Sequence, residues 1–319
     1  MNRYTALLFV LSFFFACKME KEQPVNVSAI PMELQIERFE QLFYTSTAET
    51  LPALKNRYPY LFPIQDHDSI WLQRISDTTE VELFRRTERI FGTMERERKS
   101  LSNLFKHVTY YNPGFIPPKI ITLISNRDYQ SRAMYVDSLL FVSLDLYLGK
   151  DDDMYAEFPD YLAQQFEPEL LPVAVANTLV EKQIPESRNR IFLNALISNG
   201  KKMELMTHYL PEMSDAQLLY YTPAELDWII SNEAEIWKYF IENNLLFSTD
   251  SSLKTRFIDD APFSKFYLDI DKQSPGRIGI WMGWQIVRSF MENTYSSIPD
   301  LINTDPEELF KKSKYKPKK

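Results

Sequence analysis

One thiol and three imidazoles are the side chains of this chain whose ordinary pKa lies near neutrality: Cys17, His67, His107 and His208. A single thiol can form neither an internal disulfide nor a cysteine-based zinc site. The sequence His-Glu-x-x-His, which sets two imidazoles on one helical face, is absent. The histidines lie on separate segments with no partner within five residues, so a metal site would need all three to converge in space. Surface or capping roles are the alternative. There is no Gly-x-Ser-x-Gly elbow and no phosphate-binding loop. Asp151-Asp152-Asp153 are consecutive, whereas a calcium loop places its ligands at alternate positions around a glycine. Carboxylate pairs such as Asp259-Asp260 are too common in an acidic chain to name a glycosidase. No catalytic residue, metal site or cofactor is expected.

Cys17 has a different use. Arg3 precedes an unbroken apolar run from Ala6 to Ala16, and Cys17 closes it. That is the charged and apolar order of a secretory signal. The run is too short to cross a ~30 Å hydrocarbon core as a stable helix. Ala16-Cys17 fits the end of a lipobox, with Phe14 and Phe15 departing from its usual pattern. The rival reading, a buried cysteine in an N-terminal helix, fits poorly with the polar stretch Lys18 to Pro24 that follows at once. The expected layout is a signal peptide over 1–16, a lipidated tether over 17–30 and one domain over 31–319. Acyl chains on Cys17, each buried methylene adding ~0.8 kcal/mol, would then be the membrane contact. Lys18 is not the Asp that retains such proteins at an inner membrane, so the outer membrane is expected, with the chain facing the periplasm.

The other unusual run is Ser274 to Ser289. Three of only seven glycines in the chain fall in it, at Gly276, Gly279 and Gly283. Spacings of three and four set them along one helical face. A glycine inside a helix costs ~1 kcal/mol against alanine, so close backbone approach is the natural compensation. The stripe either receives another element or, with Arg277 and Trp284, lines a cleft. Arg277 and Arg288 are expected to reach that cleft or a nearby carboxylate.

The elements that must position these residues follow from composition and periodicity. With 45% hydrophobic residues, 14% aromatics and a net charge of -8, the chain is globular and acidic, which disfavours general nucleic-acid binding. Leu34 to Phe43 alternates like a strand and then turns helical. Val81 to Phe105 reads as one amphipathic region whose charged face pairs internally or meets an anionic partner. Lys119 to Ser125, Ala133 to Val136 and Leu139 to Asp145 read as strands of a small antiparallel or mixed sheet. Helices follow over 169–183, 190–208, 222–241 with a break near Asn232, and 276–293. Thr222-Pro223-Ala224-Glu225 is a capping box with proline at the first helical position. The fold class is α+β, a mostly helical single domain around a small sheet.

Several stretches carry a resemblance. Ser274 to Ser289, Tyr221 to Trp228, Asn232 to Trp237, Asp260-Ala261-Pro262-Phe263 and Ser313 to Pro317 are similar to the GldB family of gliding-motility lipoproteins. With Cys17 in place, the resemblance covers essentially the whole chain. It implies an envelope protein required for gliding in bacteria that use type IX secretion, and other gliding or secretion proteins as partners. It carries over no catalytic residue. A more distant resemblance, in the order of strands and helices, is to zincin-like predicted zinc proteases. Where those place His-Glu-x-x-His, this chain reads Val173 to Glu181 with no histidine, and Asn199-Gly200 stands where Glu-Gly would sit. The resemblance implies a degenerate core. The expected function is a non-enzymatic, lipid-anchored component or assembly factor of the gliding apparatus. The alternatives are an envelope hydrolase or a peptide binder using a degenerate protease cleft.

Overall fold

A computed structural model describes residues 25–184, 187 and 189–317. Cys17, the signal segment before it and the first part of the expected tether lie outside them. Packing begins before the expected boundary at 31. Val27 is already buried, and the Ile30 N–H turns back onto the Val27 carbonyl at 3.0 Å.

Strand β1 (Ile36–Arg38) runs directly into α1 (Phe39–Tyr44), followed by α2 (Leu51–Arg57) and α3 (Asp68–Ser76). The amphipathic region read as continuous from Val81 to Phe105 is two helices, α4 (Thr78–Phe91) and α5 (Glu95–Tyr111). Apolar periodicity runs on across the break, but the backbone does not. Gly92 and Met94 both have positive φ, at 43° and 56°, a conformation that ends a right-handed helix. The Asp77 carboxylate caps the start of α4 through the Thr79 and Glu80 N–H groups at 2.9 Å.

Strands β2 (Lys119–Leu123), β3 (Ala133–Val136) and β4 (Leu139–Ser143) complete a four-stranded sheet in the order β1-β2-β4-β3. It is mixed: β1, β2 and β4 are parallel, and β3 pairs antiparallel with β4 across the two-residue turn Asp137-Ser138. Side chains alternate between faces. Ile120, Leu140 and Val142 enter the main core, while Ile121 and Phe141 join a small aromatic core made by Phe39, Phe43, Tyr58, Phe62 and Trp71.

The helical half contains α6 (Asp160–Ala163), α7 (Leu171–Gln183), α8 (Phe192–Tyr209), α9 (Asp215–Leu219), α10 (Pro223–Glu242), α11 (Ser252–Phe257), α12 (Ile278–Thr294), α13 (Ile298–Asn303) and α14 (Pro306–Ser313). Helix α7 is buried from Leu171 to Ala176, as its apolar sequence requires. Helix α10 starts with the capping box read from Thr222 to Glu225 and continues unbroken through Asn232. The Asn232 side chain donates to the Trp228 carbonyl at 2.8 Å, one turn back, so it stays within the helix. Helices α8 and α12 form the most extensive pairing in the helical half. The result is an α+β architecture, mostly helical around a small sheet.

Candidate functional site

The glycine stripe is where α12 meets its neighbours. Gly276 lies before the helix, because α12 begins at Ile278. A Cβ on Gly276 would sit 2.0 Å from the Ala261 carbonyl oxygen. One on Gly279 would sit 2.8 Å from the Phe257 oxygen, and one on Gly283 1.9 Å from the Leu196 oxygen. Gly200 of α8 answers from the other side, with only 2.2 Å between its would-be Cβ and the Gly283 oxygen. These glycines remove side-chain bulk where backbones touch. They bring α8, α11 and the loop before α12 onto one seam.

The tryptophans of the same run are wholly interior. Trp281 Nε1 donates to Glu233 at 3.1 Å, and Trp284 Nε1 to Glu204 at 3.0 Å. Glu233 also accepts the Tyr315 hydroxyl at 2.8 Å. Arg288 lies 3.8 Å over the Trp284 ring and pairs with Asp215 at 2.9 Å. A buried carboxylate is costly unless hydrogen-bonded, and each indole supplies one such bond.

Arg277, in left-handed conformation with φ 62°, opens α12. Its Nε is 3.5 Å from Asp260, and its Nη1 donates to the Leu219 carbonyl at 3.2 Å. Around this pair lies a polar cluster drawn from distant segments. Tyr129 donates to Asp260, and Arg132 donates to Gln165 while stacking on Tyr129 at 4.7 Å and Tyr220 at 5.3 Å. Burial opposes ionisation of Asp260, but the charge of Arg277, the Tyr129 hydroxyl and the charge of Arg132 outweigh it and hold its pKa below the usual carboxylate value. Burial also pushes the Tyr129 phenol well up. The cavity lined by Gln165, Tyr220, Asp260, Gly276 and Arg277 measures about 10 Å³, room for one water at most. A larger open groove of about 460 Å³ lies at the start of α4, between Thr78, Glu82, Arg127, Met154 and Glu157.

The three histidines take separate places. His67 caps α3, its Nδ1 accepting the Ser69 N–H at 3.2 Å. His107 of α5 is buried, and His208 of α8 meets the Tyr111 ring edge-on at 5.1 Å with its Nδ1 2.9 Å from the Glu204 backbone carbonyl oxygen. Burial lowers the His107 pKa, and nearby His208 adds to that, while Glu212 opposes it. Among the described residues, no group of three or more His, Cys, Asp or Glu could hold a metal ion. Asp152 and Asp153 instead bind Arg86. On the charged face of α4 and α5, Arg86 pairs with Glu82 and Arg96 with Glu97.

Sequence reading missed Asp145. It is fully buried, and its carboxylate accepts the Ser125 N–H at 2.9 Å and the Arg127 N–H at 2.6 Å. It anchors the loop after β2, where Asn126 and Arg127 both have positive φ. Burial raises its pKa to about 6 against those hydrogen bonds. The available signal was a lone carboxylate ending the apolar run Leu139 to Leu144. The Tyr129–Arg132–Gln165 cluster gave no such signal, because its members alternate with ordinary loop residues.

Residues 20–317 match the family model described as gliding motility protein GldB. No curated protein and no solved structure matches the chain, so the zincin-like core gains no support.

Proposed function

The chain belongs to the GldB family of gliding-motility proteins, and on that premise we propose that it is a lipid-anchored envelope protein that serves gliding through protein contacts. The observation that carries this reading is the extent of the match, which begins three residues after Cys17 and runs almost to the end of the chain. Anchoring is assigned to acylated Cys17, at an outer membrane with the folded part in the periplasm. The partners are other components of the gliding or type IX secretion apparatus, which the protein helps to assemble. The seam along α12 and the polar cluster at its start support a non-enzymatic role. Their charged groups are used to hold distant segments together, and the cavity between them has room for one water at most.

The test is genetic and biochemical together. In a gliding host lacking the gene, the wild-type chain should restore spreading, and crosslinking in the envelope should trap it against other gliding proteins. Restoration by a chain carrying His107→Gln and His208→Gln together, with no stoichiometric metal in the purified protein, is the expected result for a role without metal chemistry. Loss of function at normal abundance, with zinc that disappears from that variant, would overturn the reading.

A further inference from the structure

The segment between α11 and α12 carries a small closed loop over residues 264–274, pinched at its base and apolar at its tip. Ser264 and Ser274 close the base. The Ser264 N–H meets the Ser274 hydroxyl at 3.2 Å, and that hydroxyl donates back to the Ser264 carbonyl at 3.1 Å. Phe266 faces inward and is buried, with the Tyr239 hydroxyl of α10 donating to its carbonyl at 2.7 Å. The next residues do the opposite. Tyr267 is 74% exposed, Leu268 54% and Ile270 37%. Three large apolar side chains within four residues thus stand in water on a loop whose frame is fixed. Isolated exposed apolar residues are ordinary; a contiguous group marks an interaction surface.

The backbone of the tip points to the kind of surface. The Asp271 carboxylate accepts three successive N–H groups, from Phe266 at 3.0 Å, Tyr267 at 2.9 Å and Leu268 at 3.3 Å. The Leu268 and Ile270 carbonyls accept the Asp271 and Gln273 N–H groups at 3.1 Å and 2.9 Å. Loop backbone normally keeps its polar groups for water, and bringing them unpaired into lipid is costly. Here much of the tip's backbone is satisfied internally. Arg256 stacks on Tyr267 at 4.5 Å and donates to the Lys265 carbonyl at 2.8 Å, which holds the strained φ of 64° at Tyr267. Exposed Lys265 and Lys272 flank the apolar residues in sequence, and their cations suit lipid phosphates. Tyrosine beside aliphatic residues, with lysines behind, is the chemistry of a membrane interface. Asp269, exposed on the same tip, limits insertion to the headgroup region.

We propose that the 264–274 loop is a membrane-contacting tip, which seats Tyr267, Leu268 and Ile270 in the headgroup boundary of a lipid surface. It rests on the reading that this protein lives at a membrane, and it adds a contact made by the fold itself, independent of acylation. With the lipid anchor it would set the orientation of the domain on the bilayer, since two attachment points fix what one leaves rotating.

The chain from Lys18 onward keeps every described element, lacks the acylation site and contains no cysteine. Leu268→Cys therefore takes a single environment-sensitive nitrobenzoxadiazole label. Vesicles of phosphatidylethanolamine and phosphatidylcholine, with and without phosphatidylglycerol, should raise the label's emission and shift it to the blue, and high salt should not abolish the shift. In flotation of the unlabelled chain, Leu268→Ser with Ile270→Ser should lower vesicle partitioning by at least about tenfold, at an unchanged melting temperature. A label that does not respond, or a double variant that partitions like the parent chain, overturns the proposal; a tip that docks only on protein would give that result. Because acylation plays no part here, failure of the tip and failure of the Cys17 anchor are separate outcomes.

Discussion

Gly200 and Gly283 meet face to face across the α8–α12 crossing, so closely that a methyl on Gly200 would come within 2.2 Å of the Gly283 carbonyl oxygen. Backbone, not side chain, forms this contact, and backbone cannot rotate aside. The crossing distance of the two best-packed helices is therefore set by residues with no side chain at all.

Substitution on the seam should follow the depth of overlap. Gly283→Ala drives its Cβ to 1.9 Å from the Leu196 oxygen, whereas the Gly279 position has 2.8 Å to the Phe257 oxygen. Overpacking of this kind costs ~1–3 kcal/mol. Gly283→Ala should lower the melting temperature more than Gly279→Ala, and Gly279→Leu more than Gly279→Ala. Unchanged stability with lost motility would identify the stripe as a partner surface instead.

Trp284→Phe should destabilise the protein by ~2–4 kcal/mol, through a cavity and an indole donor lost from buried Glu204. The ring is fully buried and its bond to Glu204 is 3.0 Å. Glu204→Gln keeps an acceptor in place and should cost less. Urea denaturation of both variants gives the comparison, and equal losses would mean that a neutral acceptor does not serve and that the carboxylate itself is needed beside Trp284.

Cys17→Ala should abolish acylation and signal cleavage. Membrane fractionation of cells expressing the variant should then show a free or uncleaved chain, with gliding impaired. A processed variant still on membranes would place the anchor elsewhere.

How much could be read from the sequence depended on how local the signal was. The capping box at Thr222 and the break between the strands ending at Val136 and starting at Leu139 are spelled out by adjacent residues, and both lie where expected. The pairing of β1 with β2 joins Ile36 to Ile120 across five helices, so only the fold reveals it. The same holds for the cluster around Asp260. Tyr129, Arg132, Gln165, Tyr220 and Arg277 come from four segments, and nothing about each alone marks it as a partner of the others. Arg277 drew notice because of the glycines beside it, not because of Asp260. The stretch from Val81 to Phe105 failed in the opposite way. Its hydrophobic pattern is strong enough to hide a break that rests on two backbone angles.

Asp145 offers a pH test of the buried loop anchor. Burial lifts its pKa from 3.8 to about 6 in the folded chain, even though Ser125 and Arg127 hydrogen-bond its carboxylate. The folded state then holds the proton more tightly than the unfolded state does. By linkage, this group's contribution to stability is present in full below the unfolded value and is lost as pH rises towards about 6. The full effect is on the order of 3 kcal/mol. Other carboxylates titrate in the same range, so the quantity to follow is the difference between wild type and Asp145→Asn. The wild type should lose stability relative to the variant as pH climbs from the unfolded carboxylate value to about 6, and the difference should stay level above that. Urea denaturation at a series of pH values measures it. A difference that is flat throughout, or that grows in favour of the wild type, would mean that the Ser125 and Arg127 N–H groups outweigh burial and keep Asp145 ionised.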